Sequence, residues 1–161
     1  MPNSAGKIAE IQIEPGTGNV KHVSLFSDNL RFKCRRCATF CCRLGGPRLS
    51  LKDVERLRKA GLTRGQFLDA TDATLRNTVS GSCVLLKFDQ QERFYECTVY
   101  ANRPALCRLY PFHVEKTSSD RFALKLLPCR GINRRLGTII DERFLIDNVL
   151  GLLLHEYPGQ I

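Results

Sequence analysis

The chain has 161 residues, of which 43% are hydrophobic and 25% are charged. This composition is typical of a globular domain and excludes disordered or fibrous proteins. The longest apolar run, residues 149–154, is too short to span a membrane, and the first residues lack the hydrophobic segment of a secretory signal. We therefore expect a cytoplasmic protein, with no membrane segment, that folds as a single domain over residues 1–161. The formal net charge of +9 by itself suggests a polyanionic partner.

Two apolar alternations and one capped helix are predicted in the first 61 residues. Residues 7–25 contain two short alternating segments, which predict a hairpin. The Gly-Gly-Pro sequence at residues 45–47 predicts a turn. Ser50, followed by Asp53 three positions later, matches a capping box and predicts a helix that ends at Gly61.

The middle of the chain predicts a second helix, a hairpin and a third helix. Thr63 and Gln66 form another capping-box pattern, and apolar residues at helical spacing extend the predicted helix through Leu75. Residues 84–97 predict two strands around a polar turn. Pro104 suits the first turn of a short helix.

The remaining elements complete a mixed fold. Residues 112–127 predict another hairpin, and residues 141–155 predict an amphipathic C-terminal helix. Strands and helices do not alternate as they do in a parallel sheet. The sequence therefore predicts a small α+β single domain with short strands and hairpins and about four helices, organised around a cysteine-ligated metal centre.

The eight cysteines are the most informative feature of the sequence, and all lie between Cys34 and Cys129. A reducing compartment favours metal binding or catalysis over disulfide bonds. Disulfides and ordinary buried thiols remain the alternatives. Eight thiolates would remove eight positive charges, and two zinc ions or two four-iron clusters with a +2 core would restore four. The net charge would then be +5, which weakens the case for a nucleic-acid partner.

The densest part of this pattern is Cys34-x-x-Cys37-x-x-x-Cys41-Cys42. A C-x-x-C pair can place two sulfur atoms on one metal ion. Adjacent cysteines diverge by about 100° on a helix and point to opposite faces on a strand, so Cys41 and Cys42 suit two sites or different irons of one cluster. Spacing alone does not assign which cysteines share a site.

These residues resemble the YkgJ-like cysteine-cluster family, whose members are described as zinc- or iron-chelating proteins. The resemblance covers about residues 30–131 and includes Cys34 to Cys42, the segment from Cys97 through Arg103-Pro104 to Cys107-Arg108, and Cys129-x-Gly131. The family usually has glycine after its second cysteine, where this chain has Ala38. The resemblance implies a metal centre but no particular reaction.

The ligand chemistry limits the choice of metal. Sulfur-only coordination selects zinc or iron–sulfur clusters, and irregular cysteine spacing suits a cubane cluster better than a zinc knuckle. The three histidines lie outside the cysteine pattern. We therefore expect one or two iron–sulfur clusters, of the 4Fe–4S type, with zinc as the alternative. The candidate ligands are Cys34, Cys37, Cys41, Cys42, Cys83, Cys97, Cys107 and Cys129.

Four arginines next to cysteines are candidates for hydrogen bonds to sulfur or for tuning of the site: Arg35, Arg36, Arg108 and Arg130. An anion-binding surface and a merely solvated face are the alternatives for them. Arg103 is expected to clamp its loop, unless it is simply exposed. Aromatic residues near the cysteines suit shielding of a metal site and core packing better than base stacking.

Three functions follow from these features. The first is a metal-binding protein in electron transfer, in metal or cluster handling, or as an accessory subunit of a larger redox complex, with a protein partner. The second is a zinc module that binds RNA or protein through basic residues, and the third is an iron–sulfur enzyme of unknown reaction. Nucleotide-binding, zinc-peptidase and esterase motifs are absent from the sequence. Catalytic residues are therefore not assigned.

Overall fold

A computed structural model describes residues 6–157. Its backbone forms two compact units. Unit 1 combines Met1–Cys34 with Leu109–Ile161, and unit 2 is Arg35–Arg108. The expected α+β class is confirmed, since both units contain helices and short strands. None of the described helices has the length and apolar character needed to cross a bilayer.

Unit 1 is built on a four-stranded antiparallel sheet. Its strands are β1 (Lys7–Ile13), β2 (Val20–Leu25), β8 (Phe112–Lys116) and β9 (Arg121–Leu126), and they lie in the order β2-β1-β9-β8. The hairpins predicted at residues 7–25 and 112–127 are therefore confirmed. The sheet joins them through β1 and β9, where Ile11 lies opposite Phe122 and Ala9 opposite Leu124.

The C-terminal helix packs on this sheet. Asp141 caps it by accepting a hydrogen bond from the Phe144 backbone N–H at 2.8 Å. The helix begins as α4 (Glu142–Phe144), continues as a π-helical segment (Leu145–Leu150) and ends as α5 (Gly151–Glu156). Its buried Leu145, Val149 and Leu150 join the apolar core of unit 1. The predicted helix and its apolar face are confirmed.

A two-stranded ladder in unit 1 was not predicted. It pairs β3 (Arg31–Phe32) with β10 (Thr138–Ile139). Gly137 lies against the Phe32 backbone, where a Cβ atom would be 2.8–2.9 Å from three main-chain atoms. Because each strand has two residues, neither produces a detectable alternation.

Unit 2 contains three short helices and two hairpins. The helices are α1 (Leu51–Lys59), α2 (Arg64–Phe67) and α3 (Ala105–Leu109). The hairpins pair β4 (Leu68–Asp69) with β5 (Thr74–Leu75), and β6 (Leu86–Asp89) with β7 (Phe94–Cys97). A single 3₁₀ turn, Tyr100–Asn102, precedes α3. The buried core of unit 2 consists of Val54, Leu57, Phe67, Leu75, Cys83 and Leu85.

The predicted extension of α2 through Leu75 is wrong. The helix ends at Phe67, because the next residues turn back as the β4–β5 hairpin. Asp69 accepts a hydrogen bond from the Thr71 N–H at 3.0 Å, a local bond that competes with helix formation. The Leu75 N–H then donates to the Pro47 carbonyl at 2.9 Å. The apolar spacing that suggested a helix reflects burial of Phe67 and Leu75 in one core.

Candidate metal centre

Six of the eight cysteines belong to unit 2, and four separate segments carry them. Cys37, Cys41 and Cys42 lie in irregular turns of residues 35–45, which we call the cysteine loop. Cys83 precedes β6, Cys97 ends β7, and Cys107 lies in α3. We call these six side chains the thiol cluster. The eight cysteines of the chain all carry thiols, with no S–S bond in the described structure.

Main-chain hydrogen bonds bring these segments together. The Cys83 N–H donates to the Cys42 carbonyl at 2.8 Å, and the Tyr95 N–H donates to the Arg36 carbonyl at 3.1 Å. In the β6–β7 hairpin, Cys97 lies opposite Leu86. The cysteine loop is therefore bonded to both the segment that carries Cys83 and the strand that carries Cys97.

Asp53 fixes the start of the helix that carries Cys107. Its carboxylate is fully buried and accepts hydrogen bonds from the Ser50 N–H and the Ala105 N–H, both at 3.0 Å. The Arg56 guanidinium pairs with the same carboxylate at 2.6 Å. The predicted capping box is confirmed, and its carboxylate also holds the first residue of α3.

The bend of the cysteine loop requires left-handed backbone. Arg36 has φ 53° and Ala38 has φ 52°, and the Ala38 carbonyl accepts from the Arg43 N–H at 3.0 Å. Glycine adopts such a conformation more readily than residues with a Cβ atom. The glycine usual at the position of Ala38 in the cysteine-cluster family therefore matches the backbone of this loop.

The thiols of the cluster lie close enough to affect one another electrostatically. The Cys42 thiol donates a hydrogen bond to the Cys41 sulfur, which lowers the pKa of Cys41 to about 6, and the same bond and burial raise the pKa of Cys42. Burial raises the pKa of Cys107 to about 12, with added repulsion from Cys83 and Cys97. Thiolates that lie close together repel one another, and a bound cation relieves this repulsion.

Burial also raises the pKa of Cys83 and Cys97, and the charges of neighbouring cysteines add to this effect. Burial alone would raise the pKa of Cys37. Hydrogen bonds from the Thr39 hydroxyl and N–H outweigh it, so the pKa of Cys37 is lowered. The cluster therefore contains thiols with lowered pKa values beside thiols with raised pKa values.

Four cysteines share one local hydrogen-bond pattern, in which the backbone N–H two residues ahead donates to the sulfur. The pairs are Cys37 with Thr39, Cys83 with Leu85, Cys97 with Val99, and Cys129 with Gly131. The last of these has an N–S distance of 3.3 Å. Such donors stabilise negative charge on sulfur and tune metal–thiolate sites. The donor chemistry therefore fits a thiophilic metal.

The remaining two cysteines belong to unit 1. Cys34 follows Lys33, whose N–H donates to the Gly131 carbonyl at 2.9 Å, and Cys129 lies two residues before that glycine. A Cβ atom on Gly131 would overlap the Lys33 carbonyl oxygen, so this close pairing depends on glycine. The three histidines also lie in unit 1, on β2, β8 and α5.

The thiols are neighbours rather than an assembled ligand shell. Among the described side chains, no group of three or more His, Cys, Asp or Glu already has an arrangement that could hold a metal ion. The assignment of all eight cysteines as ligands therefore stays a prediction.

The four predicted arginines occupy different environments. Arg36 stacks on the Phe94 ring at 4.1 Å and lies 3.8 Å from Glu96. Arg108 is partly buried, and Arg35 and Arg130 are exposed. Their predicted action on the metal site is not tested by these positions.

Arg103 is the guanidinium with a visible effect on the thiols. Its charge lowers the pKa values of Cys41, Cys97 and Cys107, against the dominant effect of burial on the last two. Its Nε donates to the Tyr100 carbonyl at 3.0 Å, which confirms the expected clamp. In the sequence, only the position of Arg103 between Cys97 and Cys107 indicates that its charge acts on these thiols.

Gly46 determines how the chain leaves the cysteine loop. Its N–H donates to Asn77 Oδ1 at 2.8 Å, and a Cβ atom there would overlap the Leu75 side chain. We expect Gly46→Ala to lower the free energy of unfolding by about 1–3 kcal/mol in urea denaturation, because Leu75 is buried in the core of unit 2. Gly65→Ala is the control, since Gly65 has open space and lies in α2. It should be neutral or stabilising by about 0.5–1 kcal/mol. Equal effects of the two substitutions would contradict this role for Gly46.

The fold and the cysteines together define a protein with a sulfur-only candidate metal site. A family model described as "CxxCxxCC: Putative zinc- or iron-chelating domain" matches residues 33–130. The chain belongs to this family, as its cysteine pattern predicts, and metal binding is supported. A curated relative from Methanocaldococcus jannaschii, "Uncharacterized protein MJ0661", is 25% identical over 135 residues, covering 74% of this chain and 68% of the relative. No solved structure matches the chain significantly.

Proposed function

We propose that unit 2 binds an iron–sulfur cluster through its thiol cluster and that the protein transfers electrons to, or hands metal to, a protein partner. The observation that carries this proposal is the gathering of six mutually interacting thiols in one unit that has no histidine. An iron–sulfur cluster supplies one-electron transfer when it is bound.

The protein residues around the thiols suit such a centre. Backbone N–H groups at Thr39, Leu85 and Val99 donate to sulfur, and the Arg103 charge favours thiolate over thiol. Hydrogen bonds and positive charge next to sulfur raise the reduction potential of a cluster. Burial of Cys83 keeps part of the site away from water.

A pair of zinc ions is the second candidate, and the number of thiols in unit 2 favours it over a single zinc. One structural zinc ion takes four ligands, as one 4Fe–4S cluster does, and leaves two of the six thiols unused. Two zinc ions that share bridging thiolates would use all six.

Metal and acid-labile sulfide analysis of protein purified without oxygen tests the proposal. We expect iron and sulfide in similar amounts, with broad visible absorption. Cys41→Ser and Cys107→Ser should each lose most of the bound metal, while Ser82→Ala, next to Cys83, should retain it. Zinc without sulfide would replace the iron–sulfur proposal with the zinc alternative. Protein that binds neither metal under these conditions would overturn both.

A further inference from the structure

Four side chains on unit 2 form an alternating stack of rings and guanidinium groups. The Cζ atom of Arg36 lies 4.1 Å from the centre of the Phe94 ring and 6.0 Å from that of Tyr100. Arg103 Cζ lies 3.8 Å from the Tyr100 ring on the same stack. We call Phe94, Arg36, Tyr100 and Arg103 the arginine–aromatic ladder. It fixes two positive charges in place through ring contacts.

The ladder is open to solvent along much of its length. The Arg36 side chain is 42% exposed and Tyr100 is 51% exposed. A guanidinium above an aromatic ring is held by a cation–π contact, and the guanidinium group has a planar set of donors that matches carboxylates. Arg, Tyr and Phe are also the residue types enriched at the centres of protein interfaces.

We propose that the arginine–aromatic ladder is the docking surface for a protein partner that presents carboxylates. The net charge of the chain is positive with or without bound metal and steers acidic surfaces toward it, and the ladder supplies guanidinium donors where the two surfaces meet. The nearby pair of Arg36 with Glu96, at 3.8 Å and with both side chains exposed, is weak enough to be exchanged for a partner carboxylate.

The same surface does not suit a nucleic acid. Guanidinium groups already occupy ring faces of Phe94 and Tyr100 on which bases would stack. The β6–β7 hairpin next to the ladder also carries Asp89, Glu92 and Glu96, which repel a phosphate backbone. A protein surface with mixed charges can meet both the arginines and these acids.

The ladder is connected directly to the thiol cluster. Tyr100 and Arg103 lie on the segment that joins Cys97 to Cys107, and the Arg103 charge acts on both of these thiols. A partner bound at the ladder would therefore lie beside the candidate metal centre. The inference rests on the proposed function for the partner's redox or metal-handling role, but the docking surface itself does not depend on which metal is bound.

Fluorescence anisotropy with a short labelled peptide that contains glutamate, serine and lysine, and so carries charges of both signs, tests the surface directly. We expect Arg36→Gln to weaken peptide binding about two- to fivefold, and Arg36→Glu to weaken it further. The Arg134→Gln/Arg135→Gln double variant, which removes two exposed arginines of unit 1, should bind as the wild type does. Tyr100→Leu, which removes the ring between the two arginines, should weaken binding and serves as a second test if a change at Arg36 disturbs the cysteine loop.

Metal content measured on each variant separates this proposal from the proposed function, because peptide binding is compared only between samples of equal loading. Loss of binding only in the ladder variants supports the docking surface even if the bound metal is zinc. Equal binding by all variants, or loss only in the Arg134→Gln/Arg135→Gln variant, would overturn it. Tighter binding of single-stranded oligouridylate than of the peptide, with the same dependence on Arg36, would assign the surface to nucleic acid instead.

Discussion

Removal of metal without oxygen should increase amide hydrogen exchange in unit 2 far more than in unit 1. Among the described residues, thirteen are buried in the apolar core of unit 1, and its sheet has four strands. The corresponding core of unit 2 has six buried residues, one of which is Cys83 itself. Metal-binding energy becomes folding energy when the site is absent from the unfolded chain, at about 10–16 kcal/mol for small zinc domains. We therefore expect unit 2 to depend on bound metal for its stability.

Exchange measured residue by residue gives the clearest readout. The amides of Cys83 and Thr98, which bond to the carbonyls of Cys42 and Leu85, should exchange at least about a hundredfold faster after metal removal. The amides of Ile11 and Leu124 in β1 and β9 should change little. A Cys41→Ser/Cys107→Ser variant is the control, because a chelator should have little further effect on it. Equal changes in both units, or none in either, would contradict this dependence.

Local sequence patterns predicted the elements whose determinants lie within a few residues. A capping box predicted α1, an apolar face predicted the C-terminal helix, and the hairpins that contain β1 and β9 were also predicted. The pairing of β1 with β9 joins residues more than a hundred positions apart. Its register depends on which apolar faces share a core, which short alternations do not encode.

In the candidate site, too, the sequence predicted local features but not the contacts between distant residues. Cysteine spacing predicted the set of thiols, but not that unit 2 would contain six of them and unit 1 the other two. Sequence adjacency to Pro104 indicates neither the contact of Arg103 with the Tyr100 ring nor the effect of its charge on the thiols. The α2 prediction failed because the Asp69 side chain favours a turn where apolar spacing favoured a helix.

The double use of Asp53 is a further case, since the sequence indicates only one of its two tasks. As the third residue of α1 it completes the predicted capping box with Ser50. Its bond to the Ala105 N–H crosses 52 positions and starts the helix that carries Cys107. The buried carboxylate of Asp53 therefore caps α1 and also holds the start of α3, the helix that carries the candidate metal ligand Cys107.

We expect Asp53→Ala to destabilise unit 2 by about 3–5 kcal/mol, because it leaves the Arg56 charge and two backbone N–H groups without their buried acceptor. Asp53→Asn keeps the shape but loses the charge, and should cost less. Urea denaturation of metal-loaded protein measures both. Glu55→Gln, an exposed change on the same helix, should stay within about 0.5 kcal/mol of the wild type. Because α3 begins at Ala105, Asp53→Ala should also weaken metal binding in a competition titration with a chelator. A stable Asp53→Ala protein with unchanged metal affinity would show that α3 does not need this carboxylate to position Cys107.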